Sequence, residues 1–234
     1  MANSARQSDI GPLQQRLGYQ FHNTQLLRLA LTHKSYAKQN NERLEFVGDA
    51  VLGYLVGSML YRKYPNVQED SLSLMRAELV RGRTLASLAK EIGLAPLLLL
   101  GSGELKSGGR ERHSILANAV EAIIGATHED GGIQACVELV DKLYAQRLEN
   151  LDAQSLKDAK TQLQELLQGQ GLELPVYEIQ DVSGADHQRQ YCVSCSVSAL
   201  DKRASASASS RRGAEKAAAQ LVLRELHNEG IDHE

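Results

Sequence analysis

Residues 41–52 read Asn41-Glu42-Arg43-Leu44-Glu45-Phe46-Val47-Gly48-Asp49-Ala50-Val51-Leu52, with three carboxylates set into a largely apolar stretch. Glu42, Glu45 and Asp49 stand at i, i+3 and i+7, so a helix carries all three on one side. Leu44, Val47, Val51 and Leu55 recur every three or four residues and predict a buried face beside them. Three acids along a buried stripe repel one another unless a cation or a proton neutralises them. The ordinary meaning of such a helix is a solvated acidic face. A second segment argues otherwise.

That segment is Ser114-Ile115-Leu116-Ala117-Asn118-Ala119-Val120-Glu121-Ala122-Ile123-Ile124-Gly125, where Asn118 and Glu121 again stand at i, i+3 inside an apolar run. Two helices that each present oxygen ligands, packed side by side, can build a hard-cation site. Mg²⁺ prefers carboxylate and water oxygens and keeps several waters. Such a site suits metal-assisted hydrolysis of a phosphodiester, in which the ion activates water and offsets charge on the leaving oxygen.

Composition agrees. The 234 residues suit one medium domain plus a small one. Hydrophobic residues make up 42% and charged residues 24%, which is inconsistent with global disorder. No segment approaches 18 uninterrupted apolar residues, and Met1 to Gln20 lacks an apolar signal region, so a soluble cytoplasmic protein with no membrane partner is expected. The net charge of −3 argues against indiscriminate polyanion binding, while leaving room for a local basic stripe. Cys136, Cys192 and Cys195 fit a reducing compartment. Cys192 and Cys195 have CxxC spacing, but the residues around them alternate with a period of two, which predicts a strand and sends the sulfurs to opposite faces. Metal or redox chemistry there is not expected.

Helical periodicity dominates from Pro12 to Leu148, punctuated at Tyr64-Pro65-Asn66, Ala95-Pro96, Gly101 to Gly109 and Gly131-Gly132. The expected organisation is an all-α domain over 1–149, a polar linker over 150–155, a small α+β domain over 156–228 and a tail over 229–234. In the second domain Lys157 to Gln168 reads as a helix. Leu174 to Val182, Gln188 to Ala199 and Lys202 to Ser207 read as strands. Ser209 to His227 reads as a helix that buries Ala214, Ala217, Ala218, Leu221 and Val222. One sheet face, with Cys192, Ser194, Ser196 and Ser198, is polar.

The two helical segments, with LALTHKSYAKQNNERLEFVGDAVLGYLV, LSLMRAELVRGRTLASLA and LGSGELKSGGRERHSILANAVEAIIGA in that order, resemble bacterial ribonuclease III. The resemblance runs from about Leu13 to Leu226, and the helix, three strands and helix at its end resemble the double-stranded RNA-binding domain. It implies an all-α endonuclease domain followed by an α-β-β-β-α domain. It further implies a homodimer formed through the catalytic domain that hydrolyses double-stranded RNA with Mg²⁺, or with Mn²⁺ as a substitute. The expected products carry 5′-phosphate and 3′-hydroxyl ends, in ribosomal and messenger RNA processing.

Position by position, the resemblance assigns Glu45, Asp49, Asn118 and Glu121 to the catalytic metal site, and Glu42 and Glu69 to accessory acids of the cleavage valley. Phe46 becomes a dimer contact, although the residues alone allow ordinary core. Thr161, Gln164, Glu165, His187, Arg211, Arg212 and Lys216 become RNA contacts. The last three lie at i, i+1, i+5 at the start of a helix, where basic side chains and terminal N–H groups meet phosphate.

Three departures stand out. Asn118 sits where the family carries aspartate, and its amide oxygen can contact a cation but brings no charge. Asp70 replaces a usual glycine. Ala204 to Ser210 lacks the glycines that usually approach the last helix, which predicts weaker RNA contact. Two outcomes therefore stay open: an active endoribonuclease, or a weakened or inactive dimer that grips double-stranded RNA without cutting it.

Overall fold

The computed structural model describes residues 10–151, 158–185 and 188–231. The chain forms two compact units, 1–153 and 154–234. In the first, helices follow in the order α1 (Ile10–Leu17), α2 (Thr24–Ala30), α3 (Glu42–Lys63), α4 (Glu69–Val80), α5 (Gly82–Glu91), α6 (Ser102–Lys106) and α7 (His113–Glu149). Helix α7 is the axis of the unit, with α2, α3 and α5 packed along it and α4 against α3. It is buried nearly all round through Ile115, Leu116, Ala119, Val120, Ile123 and Ile124. It breaks at Gly132, whose φ of 72° is a conformation that glycine adopts at little cost.

Buried polar groups fasten the helices. Tyr144, fully buried, donates its hydroxyl to the Leu79 carbonyl at 3.1 Å. Arg147 grips Glu91 through two hydrogen bonds of 2.9 and 2.6 Å, joining α7 to α5. Asp130, with its side chain 2% exposed, accepts from Tyr19 Oη and from the backbone N–H groups of His22 and Asn23, each at 2.8 Å. That carboxylate closes the turn between α1 and α2 onto α7.

Helix α3, with 22 residues and an 18-residue stretch of mean hydropathy 1.3, is the one described helix long and apolar enough to cross a membrane by length and composition. Here it lies along α7 and carries Glu42, Glu45 and Asp49 at its start. Its buried stripe is Leu44, Gly48, Leu52, Leu55, Val56, Met59 and Leu60, and Val47 and Val51 are only half-buried. The expected stripe was rotated because hydropathy gives no weight to Gly48, the residue on which the packing turns.

In the second unit, Asp158 caps α8 (Ala159–Gly169), accepting from the N–H groups of Lys160 and Thr161. Three antiparallel strands follow in the order β1 (Val176–Ser183), β2 (Gln190–Val197) and β3 (Lys202–Ala208), then α9 (Arg211–Asn228). Tyr177, Cys195 and Ala204 lie in register on the inner face, and Leu163, Leu166, Leu167, Ala218, Ala219, Val222, Leu223 and Leu226 complete the core. Cys192 pairs instead with Asp181 and Ser207, so the two sulfurs do face opposite sides.

Two details differ from expectation. Strand β2 ends at Val197, and Ser198 opens a 3₁₀ turn rather than extending the polar face. On α9, Ala217 is only partly covered and Leu221 is exposed, because the buried stripe runs one residue further on, through Ala219 and Leu223. The linker expected over 150–155 lies mostly outside the described residues. Asn150 and Leu151 stay with the first unit, where Tyr64 Oη donates to Leu148 O at 2.9 Å and to Leu151 O at 3.3 Å.

Candidate active site and nucleic-acid interface

The acids meet where α3 crosses α7, and two glycines make that crossing close. A Cβ on Gly48 would sit 1.8 Å from the Glu121 carbonyl oxygen, and one on Gly125 would sit 2.0 Å from the Leu44 carbonyl oxygen. With Leu44 against Gly125 and Gly48 against Glu121, the two backbones touch. The side chains one residue away on either side, Glu45 and Asp49, are then carried to Asn118 and Glu121.

The electrostatics report that convergence. Burial, with Asp49 and Glu45 adding like charge, raises the Glu121 carboxyl from 4.5 to about 7. Burial also raises Glu45, helped by Glu42 and Asp49, while a hydrogen bond from the Asn118 side chain opposes the rise. Asn118 thus acts to lower the Glu45 carboxyl without bringing a charge of its own. Glu42, further out, is held low by a hydrogen bond from Lys34 at 3.0 Å.

Glu69 is not drawn into this group. It opens α4 and accepts from Ser73 Oγ at 2.8 Å. Phe46 is 79% exposed, which excludes the ordinary core role. Tyr54 and Tyr61, 65% and 75% exposed, follow at helical spacing on the same side, and Gly53 beside Tyr54 has open space where a Cβ would stand.

Whether a divalent cation fits can be judged from the donors themselves. Among the described residues, no three His, Cys, Asp or Glu side chains converge as a ready metal-binding group. Mg²⁺ does not require one, since it is commonly held by one or two carboxylates and completes its shell with water and substrate phosphate. A carboxyl raised to about 7 by burial, with two neighbouring carboxylates adding to it, is also a situation that a cation relieves. The residues present fit such an ion.

In the second unit the basic side chains at the start of α9 form part of a network that joins both helices. Glu215, nearly buried, accepts from Lys160 Nζ at 2.6 Å and from Arg211 Nε at 2.9 Å. Lys216 pairs with Asp158 at 3.1 Å. Arg212 is exposed and has no such partner among the described residues. Thr161 and Gln164 are exposed on α8, and Glu165 is partly covered. His187 lies outside the described residues. Sequence reading missed Lys160, Glu215 and Asp158. The i, i+4 spacing of Arg211 and Glu215 was the signal available for one of them.

An acid-lined helical crossing in one unit and a basic, two-helix face on a three-stranded sheet in the other define a nuclease joined to a double-stranded RNA-binding domain. A family profile described as Ribonuclease-III-like matches residues 23–148, and one described as Double-stranded RNA binding motif matches 159–226. The chain belongs to the ribonuclease III family, endonucleases of double-stranded RNA that generally work with a divalent metal.

Ribonuclease 3 of Vibrio vulnificus strain YJ016 is 49% identical over 222 residues, covering 94% of this chain and 99% of that one. Ribonuclease 3 of Photobacterium profundum is 48% identical over the same length and shares. The first unit is similar to the crystal structure of the ribonuclease III nuclease domain of Campylobacter jejuni, with a TM-score of 0.59 and 41% identity, covering 62% of this chain and 99% of that one. A second structure of that domain has a TM-score of 0.56 and 43% identity, covering 58% and 99%. That second structure is of a nuclease domain with structural flexibility in a region involved in dimer formation.

Proposed function

We propose that this chain cleaves double-stranded RNA at the crossing of α3 and α7, using Mg²⁺ held by Glu45, Asp49 and Glu121 with Asn118 as a weak fourth group. The observation that carries the proposal is the close crossing at Gly48 and Gly125, which brings Glu121 beside Asp49 and Glu45, where burial and their charge raise its carboxyl. When bound, the ion supplies Lewis acidity toward the phosphodiester and a hydroxide-like nucleophile at neutral pH. The protein side is electrostatic. Glu121 gives up its proton, the three carboxylates orient the donor set, and the apolar walls of both helices hold that set rigid.

Thr161, Gln164 and Glu165 on α8, and Arg211, Arg212 and Lys216 on α9, are the proposed duplex contacts. Such a domain reads shape across ~16 base pairs rather than sequence. Arg212 is the readiest phosphate ligand, while Arg211 and Lys216 exchange a carboxylate for a phosphate on binding. Phe46, Tyr54 and Tyr61 form the face through which two copies pair, since large exposed apolar groups grouped on one helix are the mark of an interface. The location is the cytoplasm, and the role is processing of ribosomal and messenger RNA precursors.

The direct test is incubation of the purified chain with Mg²⁺ and a labelled RNA duplex, its single strands, or the matching DNA duplex. Cleavage confined to the RNA duplex, leaving 5′-phosphate and 3′-hydroxyl ends, is expected. Cleavage of single strands at a comparable rate would contradict it. One observation favours a second reading, a dimer that binds without cutting: Asn118 stands among the acids without offering a charge. Duplex binding with no cleavage at any Mg²⁺ concentration would select it.

A further inference from the structure

The turn that precedes α3 places one cation, Lys34, against the acids at the start of that helix. Lys34 Nζ lies 3.0 Å from Glu42 Oε1, and its charge also acts on Glu45. Among the described residues it is the one cation ion-paired with any of Glu42, Glu45, Asp49 or Glu121. Both partners are mostly exposed, and an ion pair of that kind adds little to folding.

The turn itself, by contrast, is built. Tyr36 N donates to His33 O at 2.9 Å, and His33 N to Leu99 O at 3.0 Å. Asn41 N donates to Thr32 O at 2.9 Å, and Gly101 N to Ser35 Oγ at 3.0 Å. A Cβ at Gly101 would strike the Ser35 carbonyl oxygen at 2.2 Å, so the two loops are in backbone contact. A long, exposed cation on a hydrogen-bonded turn, beside Glu42 and within reach of the Glu45 charge, is stored in a weak ion pair.

A phosphate that approaches four carboxylates is repelled, and a cation already fixed at that edge offsets the repulsion. Resting on the reading of the crossing as a cleavage site for double-stranded RNA, we propose that Lys34 is a substrate ligand of that site. It leaves Glu42 to take a backbone phosphate of the strand being cut, and Glu42 serves as its parking partner in the free protein.

The test measures binding of a fluorescent RNA duplex to the full chain in chelator, with salt varied, so that no cleavage intervenes. Lys34→Ala should weaken binding about threefold to tenfold and lower the slope of log affinity against log salt by about one. Lys34→Arg should recover both. Glu42→Gln should tighten binding clearly more when Lys34 is present than in the Lys34→Ala background, where only the lost repulsion remains. Thermal melts of all variants should coincide, because both side chains are exposed.

An unchanged slope in Lys34→Ala, with Glu42→Gln tightening binding equally in both backgrounds, would overturn the proposal and leave Lys34 as a counter-charge to Glu42 alone. Failure of the unaltered chain to bind duplex at all would instead remove the underlying reading, and the proposal with it.

Discussion

Glu121 and Asn118 sit one helical turn apart and respond to the same neighbours in opposite ways. Glu121 is pressed toward its neutral form by burial and by Asp49 and Glu45, whereas the uncharged Asn118 acts to lower Glu45. A pH dependence follows for the metal-free chain. The Glu121 carboxyl is raised from 4.5 to about 7, so the folded state holds a proton that the unfolded state has already released. The stabilisation is complete below about pH 4.5 and is lost as pH rises through 7. The melting temperature without divalent ion should fall between pH 5 and pH 8, and Glu121→Gln should flatten that fall. Added Mg²⁺ at pH 8 should recover the loss in the unaltered chain but not in the variant. A fall of equal size in both proteins would show that other groups carry it.

At the scale of elements, the crossing of α3 and α7 depends on residues that lack side chains. Gly48→Ala places a Cβ 1.8 Å from the Glu121 carbonyl oxygen, and the helices can only separate. The expected loss is about 3 kcal/mol in denaturant unfolding, with the site opened as well. Asp130 fastens a different junction. Burial raises its carboxyl, but hydrogen bonds from Asn23, Tyr19 and His22 outweigh that and hold it low overall. Its contribution is present above about pH 4 and is lost as pH falls below that value. Asp130→Asn should cost about 2 kcal/mol at pH 7 and soften the acid limb of unfolding, which pH-dependent denaturation can measure.

These elements also show what the sequence made legible. The acids at i, i+3, i+7 and the Asn118–Glu121 pair were readable because helical spacing alone puts them on one face, and the alternation around Cys192 and Cys195 gave the strand. Gly48 and the precise buried stripe of α3 were not readable, since a close backbone approach leaves no hydropathy signal. The stripe of α9 was misread by one residue because Ala-rich helices have nearly equal faces. The ion pairs of Lys160, Glu215, Lys216 and Asp158 join two helices far apart in sequence, and no local pattern announces them.

For the whole molecule, the exposed Phe46, Tyr54 and Tyr61 bear on assembly. Phe46→Glu should leave the monomer folded, with an unchanged far-ultraviolet spectrum, while sedimentation shifts from dimer toward monomer. An unshifted sedimentation coefficient would place the interface elsewhere. The central claim is that the α3–α7 crossing cuts duplex RNA through a divalent ion. It is tested most directly by cleavage of a labelled hairpin across a Mg²⁺ titration, with the unaltered chain, Asn118→Asp and Glu121→Gln run side by side. We predict that Asn118→Asp reaches half-maximal cleavage at a lower Mg²⁺ concentration than the unaltered chain, and that Glu121→Gln loses cleavage while retaining duplex binding. Coincident Mg²⁺ curves for all three proteins would contradict the assignment of the site.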